Sequence, residues 1–556
     1  MQDKLRADTP RLAVFKPQPD SGGTLQMTRK LAAAISLLLL LGTITVGQDR
    51  LEEKTPPISN AKIKPERIKN KKVITIKLAG KIEPKTIVKT GKPSKQTEKE
   101  ERRFDEALKR KLKIKEEQKI KLEKIRAREL LTKPAPEGAS DEVEPKEAFD
   151  INTGAGSPPD NTVAISSTGF IVAADNSQIG FYREDGTTLN EFTYPDFLSG
   201  LDDSIGNNTS DPKVIYDPEE RKFIFFIQSG SSSNSSRCVL AFSNSDDPTE
   251  AWAIYDFNTI SGDDLWFDYP SLSVNYREVF LTGNLFDDDR DFSGNVIYMF
   301  DKDDGYASRD INGVSWRDVK PSGSSNFADG IIAVPAARTT MYGPGHYLLS
   351  TSSVGGGDVF LYHITSHLED DPELDKYRID VPDYEVPASA AQKGTDQRLD
   401  VGDCRIRSAY YQHGKVYFVF SKDDGNNFSG ISYNRIRIND LYHKSKFFHG
   451  NENFDYSYPA ITNRKSNETY SRALLVFQSS GRTIFPQIRK RLLQGNMSAV
   501  SSSSRLRGGA SFRNRARWGD YISVQRKYGT KTAWTTGHTP STTNVWRTHL
   551  ISIGLP

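Results

Sequence analysis

The stretch Trp266-Phe267-Asp268-Tyr269-Pro270-Ser271-Leu272-Ser273-Val274 returns near the end of the chain as Trp518-Gly519-Asp520-Tyr521-Ile522-Ser523-Val524. In both copies an aromatic residue and an aspartate lead into a run of β-type residues. Looser copies begin at Asp160, Asp211, Asp329, Asp403 and Ser457, so that successive starts lie 51 to 74 residues apart. That period accommodates four short strands and their turns. A repeat of this length, opened each time by a small polar turn residue, predicts the inner strand of a propeller blade. Seven copies predict an all-β, seven-bladed β-propeller over residues 151–556. Six or eight blades also fit, because the segment after Ser457 is weakly patterned and residues 368–400 form a long insertion.

The strands between these starts alternate apolar and polar residues, as half-buried strands require. Lys222-Phe223-Ile224-Phe225-Phe226 in blade two and Lys415-Val416-Tyr417-Phe418-Val419-Phe420 in blade five are examples. A closed ring of such blades leaves few strand edges exposed.

The net charge of +3 conceals two opposed blocks. Residues 51–133 hold 27 Lys/Arg against 13 Asp/Glu, whereas residues 134–556 hold 41 against 55. A basic segment is therefore joined to an acidic domain, an asymmetry that points to partners or to self-contact. Cys238 and Cys404 fall in different blades, too far apart for a disulfide, and neither has a second cysteine nearby to share a metal.

Residues 31–47 form a long apolar run preceded by Arg29 and Lys30 and ended by small residues. This layout predicts a signal peptide over 27–48, or a signal anchor if it is not removed. Either way the rest of the chain is exported, to the cell surface or beyond. Met27 reads as an alternative start, which leaves 1–26 as an unstructured or wrongly assigned leader. Residues 49–96, rich in Lys and Pro, read as an extended linker without a core of its own. Residues 97–133 are built from strong helix formers with i, i+4 pairs such as Glu117–Lys121, and they predict a basic, solvated helical stalk. A docking role for that helix on an anionic surface is the sharper alternative. Residues 134–150 read as a second linker.

DPKVIYDPEERKFIFF from Asp211, FDYPSLSVN around Asp268, GDCRIRSAYY around Arg405 and RWGDYISV around Trp518 together resemble a group of secreted bacterial propellers, distantly similar to sialidase-type propellers. The resemblance covers about residues 150–556. It implies the fold and an exported location, and little chemistry. Ser421-Lys422-Asp423-Asp424-Gly425-Asn426-Asn427-Phe428 resembles an Asp-box, a structural turn of those propellers, with Asn427 in place of the usual Thr or Ser.

Inner strands begin at the face where propellers bind ligands. Asp211, Trp266, Asp268, Tyr269, Asp403, Arg405, Trp518, Asp520 and Tyr521 are therefore the candidate ligand-binding residues. Carboxylates beside aromatic faces suit sugar hydroxyls. Each also has an architectural reading: the aspartates as turn caps, the aromatics as packing between blades. Arg405, Arg407 and Arg517 supply cations, as a sialidase-like hydrolase requires, but the Phe-Arg-Ile-Pro signature of sialidases is missing. Asp287, Asp289 and Asp291 alternate in one loop and are weak Ca²⁺ candidates, without the glycine and distal glutamate of an EF-hand. The resulting expectation is an exported propeller that binds a glycan or an extracellular protein at its axial face. A polysaccharide-acting hydrolase or lyase, and a structural interaction platform, are the alternatives. No nucleic acid partner is expected.

Overall fold

The computed structural model describes residues 53–89, 106–130, 147–151 and 158–555, apart from 202–207, 259–263, 290, 320–329, 336–340, 450–453, 464–471, 495, 498–501 and 544. The leader, the apolar run at 31–47 and Asp329 lie outside the described residues. Seven sheets follow one another along the chain, each an antiparallel meander. Their innermost strands are Thr162–Ile165, Thr209–Asp217, Leu265–Val274, Ile332–Ala333, Ile406–Gln412, Asp455–Asn463 and Ser523–Lys527. The protein is a seven-bladed β-propeller. The insertion at 368–400 resolves into the outer strand of blade four, Leu374–Glu385, and a small hairpin of Ala390–Gln392 with Thr395–Leu399. Cys238 and Cys404 are buried and free.

The basic segment departs most from the sequence reading. Strands β1 (Glu53–Lys54), β2 (Glu66–Ile68), β3 (Lys71–Ile76) and β4 (Leu78–Ile82) occupy what reads as a linker. β1 pairs with Tyr342–Gly343. The next three add a fifth strand to blades four, three and two in turn. A linker was expected because the segment has too few apolar residues for a core of its own. An outer strand needs none, since the blade already presents a ladder and an apolar face. Ile76 and Ile82 bury themselves there, each contributing roughly 2 kcal/mol. A further strand, β5 (Glu147–Ile151), lies where the second linker was expected and pairs with Trp546–Gly554 as the outer strand of blade seven. The ring is thus closed by joining the N-terminal side of the domain to its last blade. Asp150 on β5 fixes this closure by accepting from Arg507 of blade six and from His549 and Arg547 of blade seven.

Helix α1 (Glu106–Leu130) is present, but it is not a solvated stalk. Lys115, Lys119 and Glu123, spaced four apart and so on one face of the helix, are all buried. Lys115 reaches Asp423 at 2.7 Å, and Lys119 reaches Asp455 at 2.5 Å and the carbonyls of Ala388 and Ser389. Glu123 accepts from Arg398 and Arg482. The Lys119 ammonium also lies 4.8 Å from the centre of the Phe428 ring. Because the helix buries charges rather than a leucine stripe, a search for apolar periodicity finds only a ragged pattern. Burial pushes the Asp455 carboxyl up to about 6, although Lys119 and the Ser429 N–H pull the other way.

The Asp-box stretch forms the turn expected of it. Asp423 accepts from the backbone N–H groups of Gly425 and Asn427, and Asp424 from those of Asn426 and Phe428. The same Asp423 receives Lys115, so this turn is also an anchor for α1.

Candidate functional site

The inner strands of blades two, three and six each carry a bulge in their first half. Register shifts fall between Ser210 and Lys213, Asp268 and Ser271, and Ser457 and Ala460. Inside each shift sits a residue at positive φ followed by proline: Asp211-Pro212 (57°), Tyr269-Pro270 (58°) and Tyr458-Pro459 (49°). Proline cannot donate to the ladder, and the left-handed residue before it re-aims the chain. Asp211 therefore stands at the bulge position that Tyr269 and Tyr458 take in blades three and six, while Asp268 comes one residue earlier. The repeated aspartates do not share one register. They form a mixed cluster with tyrosines and arginines rather than a ring of carboxylates.

The cluster centres on Tyr269. Its hydroxyl accepts from Arg407 Nη1 at 2.8 Å, the Arg405 guanidinium lies 4.4 Å from its ring centre, and the Tyr521 ring is 5.2 Å away. Asp403 holds both arginines, through Arg405 Nε at 2.9 Å and Arg407 Nη2 at 3.1 Å. Arg517 donates to Asp520 Oδ2 at 2.9 Å. Lys213 Nζ stands 3.0 Å from the centre of the Tyr521 ring, within cation–π range. Burial works against the charges on Arg405 and Arg517, but the carboxylates of Asp403 and Asp520 hold both guanidiniums above their ordinary pKa. Burial raises the hydroxyls of Tyr269 and Tyr521, so both remain phenols.

A carboxyl relay lies alongside. Asp160 Oδ1 accepts from the Asp520 N–H at 2.6 Å and its Oδ2 from Asn176 Nδ2 at 2.7 Å. Asn176 Oδ1 in turn accepts from the Asp211 N–H at 2.7 Å, and Asp211 Oδ2 accepts from the Tyr521 hydroxyl at 3.3 Å. Asp160 is fully buried. That burial, and then the charges of Asp520 and Asp211, push its carboxyl up to about 7. Asp268 sits to one side, accepting from Gln228 Nε2 at 2.9 Å.

The structure thus brings together Asp211, Tyr269, Asp403, Arg405, Asp520 and Tyr521. It does not bring in the two tryptophans. Trp266 stacks on Phe286 and donates to the Asp287 carbonyl, and Trp518 is fully buried against Trp546 and Tyr458. Of their two readings, packing between strands is the one observed. Asn176 and Lys213 have no signal in the sequence, since each reaches the cluster only through the tertiary fold. Among the described residues, no group of three or more His, Cys, Asp or Glu side chains is placed to hold a metal. At the weak Ca²⁺ candidates Asp287, Asp289 and Asp291, Asp287 caps its own turn by accepting from the Asp291 N–H.

A cavity of about 170 Å³ is lined by inner-strand residues that include Val163, Val214, Ser273, Ser408, Asn463 and Gln525. Asp455, which anchors α1, is the first residue of the inner strand of blade six, three before its bulge residue Tyr458 and so toward the strand end where the bulges of blades two and three lie. The α1 helix therefore docks at the same face as the cluster. Among the described residues no helix is long and apolar enough to cross a membrane.

No protein-family model matches the chain, and no curated protein matches it. Among solved structures, the NanB sialidase of Streptococcus pneumoniae matches at 9% identity and a TM-score of 0.37, over 69% of this chain and 83% of that one. Trypanosoma rangeli sialidase, with a difluorosialic acid as covalent intermediate, matches at 10% identity and a TM-score of 0.36, over 73% and 59%. An ulvan lyase of a polysaccharide lyase family matches at 9% identity and 0.34, over 61% and 80%. The blade count stands on the strand pairing itself.

Proposed function

We propose that the protein is an exported propeller that binds a glycan through sugar hydroxyls at the axial cluster. The observation that carries this reading is the internal pairing of the guanidiniums beside Tyr269 and Tyr521. Arg405 and Arg407 are matched by Asp403, and Arg517 by Asp520. Three guanidiniums and the Lys213 ammonium stand against the carboxylates of Asp403, Asp520 and Asp211, so little surplus charge is left for an anionic sugar. Fixed donors, fixed acceptors and phenol rings suit neutral hydroxyls and the apolar faces of pyranose rings. The pairing also pre-organises the side chains, so little ordering remains to be done on binding.

A second reading, hydrolase or lyase, is favoured by one feature. Asp160, pushed up to about 7 by burial and by the neighbouring carboxylates of Asp520 and Asp211, is a carboxyl of the kind general acid–base work uses. Binding ranks first because both Asp160 oxygens are already engaged inside the fold, Oδ1 by the Asp520 N–H and Oδ2 by Asn176, whereas Asp520 and Tyr521 are less deeply buried.

The test is a glycan array probed with the full chain, followed by titration of any ligand found. Tyr521→Phe removes the hydroxyl bonded to Asp211 and keeps the ring. Asp520→Asn removes the charge facing Arg517. Each should weaken binding about tenfold, one good hydrogen bond's worth, while the protein stays folded. If both variants bind like the parent, the axial reading fails. If the ligand is cleaved, and Asp160→Asn stops cleavage while preserving affinity, the hydrolase or lyase reading replaces it.

A further inference from the structure

The outer rim of blades four, three and two carries a second charged feature that the axial cluster does not use. Between Glu53 and Lys89 the chain holds 11 Lys/Arg and 3 Asp/Glu. Strands β2, β3 and β4 lay this segment along the perimeter of three consecutive blades. A few of its cations are spent on the propeller: Arg67 pairs with Asp375, Lys71 with Asp371 and Lys77 with Asp310. Lys62, Lys64, Lys69, Lys72, Lys81 and Lys85 are exposed, and they pair with no carboxylate among the described residues. Lysine recurs at every fourth position through Lys77, Lys81, Lys85 and Lys89.

Lysines on an edge strand also discourage edge-to-edge pairing, and one or two per strand suffice for that. Here the exposed lysines continue through the connections between strands. Lys62, Lys64 and Lys69 lie outside the strands altogether. An unspent basic ribbon on an otherwise acidic domain is a surface for an anion.

We propose that this ribbon binds a linear acidic polysaccharide. The shape selects a polymer over a membrane: the ribbon follows the convex perimeter of three blades, which a flexible chain can track and a flat bilayer can touch only along a short arc. The side chains select a polysaccharide over a nucleic acid. The segment exposes no large aromatic side chain, its large exposed hydrophobics being Val73 and Val88, so it offers no platform for base stacking. The ribbon runs along the outermost strands of its blades and the axial cluster lies at the innermost, and the proposal stands independently of what the axis binds.

The test uses the full chain on immobilised polygalacturonate, with neutral dextran as control. Retention on polygalacturonate and not on dextran is expected, falling at least about tenfold between 50 and 200 mM salt as screening removes it. The variant K62E/K64E/K69E/K72E/K81E/K85E should lose retention with an unchanged melting temperature, because these side chains make no ion pair with the propeller. Arginine at the same six positions should restore it, and Tyr521→Phe should leave it untouched. The proposal is overturned if charge reversal leaves retention unchanged. It is equally overturned if the parent prefers phosphatidylglycerol vesicles or duplex DNA at matched charge, or if the reversal acts by dissociating an oligomer in sedimentation.

Discussion

At the α1 dock each buried charge meets its opposite: Lys115 with Asp423, Lys119 with Asp455, and Glu123 between Arg398 and Arg482. At the axis the pairing is incomplete. Three arginines share two carboxylates, Asp403 and Asp520, and Asp160 faces the like charges of Asp520 and Asp211, offset only in part by Arg517. Both clusters lie at one face of the propeller, and in both burial raises a carboxyl. The causes then diverge. Asp455 is opposed by a lysine, whereas Asp160 is pushed further by two carboxylates. A matched pair fastens one part of a fold to another. A carboxyl left uncompensated costs stability, and such costs gather where a ligand or a reaction exploits them.

The largest effect should come from breaking the dock. Lys119→Ala leaves Asp455 buried without its cation and should cost about 3–5 kcal/mol. It should also make residues 106–130 sensitive to proteolysis. The double change Lys119→Met with Asp455→Leu removes both charges and should recover most of the loss. If the single change proves neutral by thermal melting, the dock is not what holds α1.

The axial carboxyl should show itself through pH. Asp160 has a folded pKa near 7, above its ordinary 3.8. The folded state therefore binds more protons than the unfolded state between these values. The stabilisation is complete below about pH 4 and is lost as pH rises through 7. Asp160→Asn should flatten that part of the stability–pH curve. The flattening should amount to a few kcal/mol across the window at most, read by denaturant titration from pH 4 to 8. An unchanged slope would mean that Asp160 is not the group responsible.

Arg407→Lys sharpens the comparison further. Lysine cannot bond Tyr269, Asp403 and the Asp520 carbonyl at once as the guanidinium does. A loss of about 1–3 kcal/mol is expected, together with loss of any axial ligand. The smallest effect should be at Trp266. Trp266→Phe gives up one hydrogen bond to the Asp287 carbonyl, about 1 kcal/mol, and should leave ligand affinity unchanged. A change in affinity would return Trp266 to the site.

Much of the ring was legible in the chain because each blade is a local meander. Neighbouring strands are neighbours in sequence, and their alternation and turn residues repeat. The same locality made Asp211, Tyr269, Asp403, Arg405, Asp520 and Tyr521 visible as residues at strand starts. Trp266 and Trp518 follow the same pattern, yet they point into packing, a matter of side-chain direction that spacing does not carry. At the Asp287, Asp289 and Asp291 loop, Asp287 caps its own turn, a contact that alternation in sequence does not carry.

By itself the sequence determined the repeat, and with it the blades, their order and the polar residues that open them, since these depend on local periodicity and turn chemistry. Only the tertiary structure decided where the basic segment goes. Strands β2, β3 and β4 find partners more than 150 residues away, and β5 closes the last blade. Lys119 finds its carboxylate 336 positions on. Such pairings are chosen by which blade edge and which buried countercharge remain unmatched once the ring has formed, and no local pattern records that.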